Sequence, residues 1–159
     1  MTRVGFTGHQ RLTSATRRAV AAAVSDLLVE CAEPLVGLTS LAEGSDQVFA
    51  LSVLAAGGQL HVVIPCDGYE VTFATVDARD AYAALLSLAT DVIKLHYPEP
   101  SEDAYLAAGH RIVDQCDMLI AVWDGLPAVG KGGTADIVQY AAQHGTRSQV
   151  VWPRGAERA

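Results

Sequence analysis

The chain has 159 residues, half of them hydrophobic, and a formal net charge of −7 at pH 7. This length buries one sizeable core in a single domain, and every apolar run falls short of the ~20 residues that span a bilayer, which argues against a membrane protein. The acidic balance argues against nucleic-acid binding, which needs a basic stripe to displace counterions.

The start of the chain and its cysteines indicate the compartment. The first three residues lead directly into an apolar run, without the basic and hydrophobic regions of a secretory signal. Cys31, Cys66 and Cys116 lack CxxC spacing, and their odd number suits buried reduced thiols better than disulfides or zinc. We therefore expect a cytoplasmic protein with no metal site.

Strand-like and helix-like segments alternate along the chain. The predicted strands are 3–7, 35–39, 60–64, 92–97, 117–125 and 149–152, and the predicted helices are 14–31, 45–56, 76–89, 101–116 and 134–144. This rhythm predicts a doubly wound, Rossmann-like α/β fold, with a mostly parallel sheet of about six strands and helices on both faces. We expect one domain over residues 1–153 and a polar C-terminal tail over 154–159.

Details of two strands and two helices sharpen this prediction. The aliphatic run 60–64 is typical of an inner parallel strand, and the alternation in 92–97 is typical of an edge strand. Ser14 is predicted to cap the first helix and Ser101 the fourth.

Polar and glycine residues concentrate where the predicted strands end. Four segments share this property: TGHQR at 7–11, SLAEGSDQ at 40–47, PCDGYE at 65–70 and WDGLPAVGKGGTAD at 123–136. In an open α/β sheet a ligand binds beyond the carboxyl ends of the strands, at the switch point. We therefore expect a ligand site among these segments.

The last segment has the features of a phosphate site. Gly130, Gly132 and Gly133 precede Thr134 where a helix begins, so backbone N–H groups and the positive helix end are available to an anion. Lys131 can add a positive charge. The spacing matches neither the Walker A loop nor GxGxxG, and the alternative is a tight loop whose glycines only permit positive φ.

The second segment repeats this arrangement at another helix start. Gly44 allows close backbone approach, and Ser45 and Asp46 suit the first helical turn. Glu43 and Asp46 have an alternative role as capping groups, since an acid near a helix start contributes roughly 0.3–1 kcal/mol.

The first segment places a histidine and an arginine beside the expected site. Thr7 and Gly8 end the first strand, and His9 and Arg11 follow. We interpret His9 as a ligand contact with no acid or base role, and the alternative for the segment is an ordinary strand-to-helix turn.

Two aromatic side chains follow the third strand. Tyr69 and Phe73 lie just after it and either stack on a base or pack in the core.

The four segments in this order resemble the SLOG superfamily, which includes the Lonely guy phosphoribohydrolases and the DNA-processing DprA proteins. The matching stretches are GFTGHQRL, SLAEGSDQVFA, VVIPCDGYE and CDMLIAVWDGLPAVGKGGTADIVQYA, which together cover most of the chain. The TGH start and the GKGGTAD ending are similar to an uncharacterised branch associated with nucleotide sensing.

The resemblance implies a nucleotide or nucleotide-derived ligand and no other cofactor. The phosphate would lie over Gly132, Gly133 and Thr134, and the sugar or base would lie nearer to Gly8, His9, Gly44 and Ser45. The resemblance also implies a homodimer or a higher homo-oligomer.

An enzymatic alternative rests on the carboxylates. Lonely guy enzymes carry PGGxGTxxE, and the position of that glutamate is Ile137 here. Asp136 lies one residue earlier, and a resemblance to nucleoside deoxyribosyltransferases would make it the nucleophile. Asp124 and Glu43 are the other candidates, since an oxocarbenium-like centre needs a carboxylate, and Asp124 can equally bind a ribose hydroxyl or cap its loop.

Three hypotheses follow from the sequence. The first is a nucleotide-binding ligand sensor or carrier. The second is an N-glycosidic hydrolase acting on a nucleoside monophosphate. The third is a structural or partner-binding module with a vestigial pocket.

Overall fold

A computed structural model describes residues 1–128 and 130–159 of the chain. The strands are β1 Thr2–Gly8, β2 Leu35–Thr39, β3 Gln59–Ile64, β4 Asp91–Lys94, β5 Met118–Val122 and β6 Arg147–Val151. The α-helices are α1 Ser14–Val29, α2 Ser45–Ala55, α3 Val76–Ser87, α4 Glu102–Gln115 and α5 Thr134–Gln143, and a 3₁₀ turn covers Tyr69–Thr72. Within the described part of the chain, no helix has the length and apolarity needed to cross a membrane.

The six strands form one sheet in the order β4-β3-β2-β1-β5-β6, and every neighbouring pair is parallel. The predicted α/β fold is therefore confirmed, with β3 inside the sheet and β4 at its edge. The chain adds strands on one side of β1 as far as β4 and then returns to the other side with β5. This reversal places the switch point between β1 and β5.

Two helical layers cover the sheet. On one face Val20 and Val24 of α1 and Phe49 and Val53 of α2 are fully buried, because apolar residues four positions apart share one side of a helix. On the other face α4 and α5 bury a second set, made up of Ala108, Ile112, Val113, Ile137 and Ala141.

The close packing of α4 on β1 depends on a glycine. A Cβ atom at Gly5 would lie 2.8 Å from Ile112 Cγ2 and 2.9 Å from Cys116 Sγ, which real side chains do not tolerate. The absence of a side chain at this position therefore lets the helix approach the central strand.

One helix cap differs from the prediction. The side chain of Thr13 accepts a hydrogen bond from the Thr16 N–H at 3.2 Å, so Thr13 caps α1 and Ser14 is its first residue. The prediction of Ser14 was wrong because two adjacent hydroxyl residues offer the same chemistry, and only the backbone geometry selects between them. Ser101 caps α4 as predicted, accepting from the Ala104 N–H at 3.1 Å.

The three cysteines are free thiols. Cys66 is buried, and Cys31 and Cys116 are partly buried. Burial raises the pKa of all three, and that of Cys116 reaches about 11. A thiol with a raised pKa is a weak nucleophile, so these residues have the packing role that the sequence indicates.

The segment after Pro153 folds back onto the loop that follows β1. Arg158 forms an antiparallel bridge with Leu12, and the Glu157 N–H donates to Thr16 Oγ1 at 2.8 Å. The Ala159 N–H donates to the Arg11 carbonyl at 3.1 Å. These bonds hold the segment beside the carboxyl end of β1.

Candidate functional site

A cleft of about 820 Å³ opens at the carboxyl ends of the central strands. Small-molecule sites commonly enclose about 300–1,000 Å³, so its volume suits a ligand of nucleotide size. The predicted site residues that line the cleft are Thr7, Gly8, His9, Arg11, Glu43, Gly132, Gly133 and Thr134. They come from the loops after β1, β2 and β5, which meet at the switch point.

The end of β1 is attached to the start of α2. Ser45 Oγ donates to the His9 carbonyl at 2.7 Å, and the Ser45 N–H donates to the same oxygen at 3.3 Å. A side chain at Gly8 would overlap the Ser45 hydroxyl, and one at Gly44 would overlap the Gln10 backbone. Gly44 and Ser45 therefore shape the cleft without lining it.

The other side of β1 contacts the start of α5. Thr7 Oγ1 donates to Thr134 Oγ1 at 3.4 Å. The first N–H groups of a helix have no acceptor within the helix, and Gly133, Thr134 and Ala135, which begin α5, line the cleft. The positive end of α5 is therefore available to an anion in the cleft.

His9 is held by the loop after β5. Its Nε2 lies 3.1 Å from the Asp124 N–H, which donates to it when the imidazole is neutral, and 3.3 Å from Asp124 Oδ1, which pairs with it when the imidazole is protonated. Burial and the charge of Arg158 lower the pKa of His9, whereas Asp124 acts to raise it. The Trp152 ring lies edge-on at 5.5 Å. These contacts present a neutral, oriented imidazole to the cleft.

Asp124 supports this part of the cleft from outside its lining. Its carboxylate accepts from the Leu126 N–H at 3.0 Å and pairs with Arg158 at 2.7 Å. Burial acts to raise the pKa of Asp124, but the Leu126 N–H, the charge that His9 carries when protonated and the charge of Arg158 together lower it. The ionised carboxylate thus fixes both His9 and Arg158.

Three other predicted residues also lie outside the lining. Gly130 faces the Glu102 carboxylate, and Lys131 pairs with Asp103 at 3.4 Å on the exposed surface. Asp136 Oδ2 accepts from the Gly132 N–H at 3.1 Å, so its carboxylate stabilises the glycine turn. The ligand contacts predicted for the thirteen binding residues, and the catalytic role predicted for Asp136, stay predictions.

A buried carboxyl that the sequence analysis treated only as a capping group lines the cleft. Asp46 is 6% exposed, and its Oδ2 accepts from Thr39 Oγ1 at 2.8 Å. Burial raises its pKa to about 7, against the opposing effect of hydrogen bonds from Thr39, Ser40 and Ala42. The signal in the sequence was an acid two residues after Gly44, which precedes α2. A capping role explained that position equally well.

Arg158 is a second cleft residue that sequence reasoning missed. Its guanidinium is held by Asp124, while its backbone pairs with Leu12. No local pattern indicates this placement, because it depends on the return of the C-terminal segment to the loop after β1.

An aromatic cluster lines another part of the cleft. Tyr69 and Phe73 are each 4% exposed and pack edge to face at 5.2 Å, and both contact the Tyr82 ring. Tyr105 continues this wall. The rings of Tyr69 and Phe73 pack in the core, which is one of the two interpretations given for them. Part of each side chain still lines the cleft.

The cleft combines basic, acidic and aromatic groups. Its lining includes the start of α5, Arg11 and Arg158, and also Asp46 and the aromatic wall. Within residues 1–128 and 130–159, no group of three His, Cys, Asp or Glu side chains is placed to hold a metal ion.

Solved structures share this architecture. DNA processing protein A (DprA) from Streptococcus pneumoniae matches with a TM-score of 0.69 at 18% identity, over 96% of this chain and 51% of that one. The chain thus spans about half the length of the DprA structure.

Two further structures match with a TM-score of 0.59 each. TM1055, a structural genomics target, has 15% identity over 98% of this chain and 75% of its own. The molybdenum cofactor binding protein from the phototrophic bacterium Rippkaea orientalis has 17% identity over 94% of this chain and 75% of its own. No protein-family model matches the sequence, and no curated protein is significantly similar to it. At these identities the likeness is one of fold, and the chain has a Rossmann-like α/β fold similar to that of DprA.

Proposed function

We propose that the protein binds a nucleotide or nucleotide derivative in the cleft and acts as a ligand sensor or carrier. The observation that carries the proposal is the position of the α5 N-terminus at the switch point. Gly133, Thr134 and Ala135 line the cleft there together with Arg11 and Arg158. Unpaired N–H groups, a positive helix end and two guanidinium groups are the chemistry that a phosphate requires.

The structural neighbours are consistent with a small ligand. One of them is a molybdenum cofactor binding protein. Another is a DNA processing protein, but the net charge of −7 of this chain disfavours a polyanionic partner. The proposal therefore favours a small phosphorylated molecule over a nucleic acid.

Thermal shift and calorimetry with a panel of mono-, di- and cyclic nucleotides test this function. We expect saturable binding and a higher melting temperature, because a ligand that binds only the native state stabilises it by mass action. Absence of binding across the panel would reject the proposal in favour of a partner-binding module with a vestigial pocket.

The Ala135→Asp variant tests the location of the phosphate. Ala135 is the second residue of α5 and lines the cleft. An aspartate there is favourable to the helix but repels an anion at the same N–H groups. We expect unchanged or higher thermal stability and at least about tenfold weaker binding of the nucleotide.

Ala15→Asp is the matched control. Ala15 is the exposed second residue of α1 and lies outside the cleft. The Ala15→Asp variant adds the same charge at the same helical position but away from the cleft. It should therefore leave nucleotide affinity unchanged. Equal affinities of the two variants would place the phosphate elsewhere.

A second candidate function is N-glycosidic hydrolysis of a nucleoside monophosphate. The observation that favours it is the buried Asp46 carboxyl, whose pKa of about 7 suits proton transfer near neutral pH. Chromatographic detection of free base, abolished in Asp46→Asn or Asp136→Asn with the fold intact, would support it. A wild-type protein that releases no base from purine or pyrimidine monophosphates would reject it.

The resemblance to the SLOG superfamily also suggests a homodimer in the cytoplasm. Light scattering coupled to size exclusion tests the oligomeric state. A monomer mass at all protein concentrations would reject the dimer without affecting the ligand proposal.

A further inference from the structure

The cleft contains a polar pair that follows β2 and β3 on one side of β1, whereas α5 follows β5 on the other side. Asp46 starts α2, and Tyr69 starts the 3₁₀ turn after β3. Both side chains line the cleft, although each residue is at least nine-tenths buried. The charge of Asp46 influences the Tyr69 phenol, so the two groups lie in one electrostatic environment.

The Tyr69 hydroxyl lacks a protein partner. No hydrogen bond between described residues involves it. Burial and neighbouring charges raise the pKa of Tyr69, and no hydrogen bond contributes to that rise. Its oxygen is not sealed among protein atoms, because among the described residues the one fully buried side-chain N or O atom without a hydrogen bond is Ser148 Oγ. The hydroxyl is therefore available to a molecule in the cleft.

Rigid packing fixes the direction of this hydroxyl. The Tyr69 ring packs edge to face against Phe73 at 5.2 Å and against Tyr82 at 5.8 Å. The apolar rings lower the local dielectric, which strengthens a hydrogen bond formed beside them.

The Asp46 carboxyl retains capacity for a further hydrogen bond. Thr39 Oγ1 and the backbone groups of Ser40 and Ala42 donate three hydrogen bonds to it, whereas a carboxylate offers about four lone-pair sites. Its hydrogen bonds to Thr39 and the following loop hold it in place at the start of α2.

The charge of Asp46 determines which end of a bound ligand lies near it. A phosphate is repelled from Asp46 and attracted to Arg11, Arg158 and the α5 N-terminus. The part near Asp46 and Tyr69 is then neutral and polar. A sugar hydroxyl fits, because it can donate to the carboxyl group and accept from the phenol at the same time.

We propose that Asp46 and Tyr69 form a hydroxyl-recognition subsite that selects ligands with a ribose over those with a deoxyribose. This inference rests on the proposed function, since it assumes that the phosphate lies at the α5 N-terminus. It adds the class of ligand: a ribose phosphate whose hydroxyl groups enter the Asp46–Tyr69 pair.

The experiment is an NMR titration of the full chain with ribose 5-phosphate, 2-deoxyribose 5-phosphate and inorganic phosphate. We expect inorganic phosphate to shift the amide signals at the start of α5. Ribose 5-phosphate should bind about tenfold more tightly than its deoxy counterpart, because a site built to pair a hydroxyl rejects the analogue that lacks it.

Both Tyr69→Phe and Asp46→Asn should lower the ratio of ribose 5-phosphate affinity to 2-deoxyribose 5-phosphate affinity. In Tyr69→Phe this ratio should fall to about one. Tyr69→Phe should also keep the melting temperature of the free protein, since the hydroxyl makes no hydrogen bond within the protein. Tyr82→Phe is the matched control, because Tyr82 belongs to the same aromatic cluster but lies outside the cleft lining. It should keep the ribose preference.

The outcomes separate the two proposals. No binding of any of the three compounds would overturn the phosphate site and the subsite together. Phosphate binding with equal affinity for the two sugars would overturn the subsite alone. A ribose preference that survives in both Tyr69→Phe and Asp46→Asn would also overturn it.

Discussion

Three aspartates near the cleft have different roles because their surroundings differ. Asp46 is buried and accepts from a threonine hydroxyl, and Asp124 is ionised between His9 and Arg158. Asp136 accepts from the backbone of the glycine turn. The sequence identifies all three as acids near strand ends, but it does not show which hydrogen-bond partner each carboxylate has.

The pKa of Asp46 predicts how stability depends on pH. Its value rises from 3.8 to about 7 on folding, so the native state binds more protons than the unfolded state between these values. The stabilisation is present below pH 3.8 and is lost as the pH rises through 7. We expect Asp46→Asn to flatten the pH profile of the unfolding free energy. The change in that free energy across the titration range should shrink by an amount on the order of 1–4 kcal/mol.

Urea unfolding between about pH 5 and pH 8 measures this effect. Asp26→Asn, which changes an exposed acid on α1, is the control and should retain the wild-type slope. If Asp46→Asn and the wild type had parallel profiles, the carboxyl would not titrate in this range.

Arg158 should control the protonation of His9. The guanidinium lowers the pKa of His9 directly and also pairs with the Asp124 carboxylate. Arg158→Ala should therefore raise the pKa of His9, measured from its imidazole signals by NMR. Arg154→Ala, at an exposed position in the same segment, should leave it unchanged. An unaltered pKa in Arg158→Ala would mean that the charge of Arg158 has no influence on His9.

At the scale of elements, the regular strands and helices followed from hydrophobic periodicity, with ends displaced by a few residues. The strand predicted at 149–152 is Arg147–Val151, and the helix predicted to end at 31 ends at Val29. The 3₁₀ turn that positions Tyr69 was not predicted, because four residues are too few to show a period.

The attachment of the C-terminal segment depends on tertiary hydrogen bonds. Thr16 is 3% exposed and accepts from the Glu157 N–H at 2.8 Å. Thr16→Val keeps the shape of the side chain but removes this acceptor. We therefore expect faster hydrogen exchange at residues 154–159 and a decrease of about 1 kcal/mol in the free energy of unfolding.

Thr146→Val is the control for this variant. Thr146 lies at the amino end of β6, on the opposite edge of the sheet from the cleft. It should leave exchange at 154–159 unchanged. Wild-type exchange in Thr16→Val would show that other contacts hold the segment.

At the scale of the whole molecule, the fold and the region of the site could be predicted because both depend on the order of elements. Alternating strands and helices imply a doubly wound sheet, and its switch point locates a ligand site. The Asp46–Tyr69 pair and Arg158 could not be predicted in the same way. They reach the cleft through loop turns and a returning segment that have no periodic signature.

The overall charge predicts that DNA is not a partner, although DprA shares the fold. Fluorescence anisotropy with labelled single-stranded and duplex DNA should show no saturable binding at low or physiological salt, because a chain of net charge −7 gains little from counterion release. Saturable binding that weakens with added salt would contradict this prediction.

The contact between Thr7 and Thr134 joins residues 127 positions apart in the chain. During synthesis the first strand therefore leaves the ribosome long before α5, its partner in the cleft, has been made. A nascent chain that ends before α5 lacks the helix start proposed to hold the phosphate. Acquisition of ligand binding would then report that nearly the whole domain has been synthesised and folded.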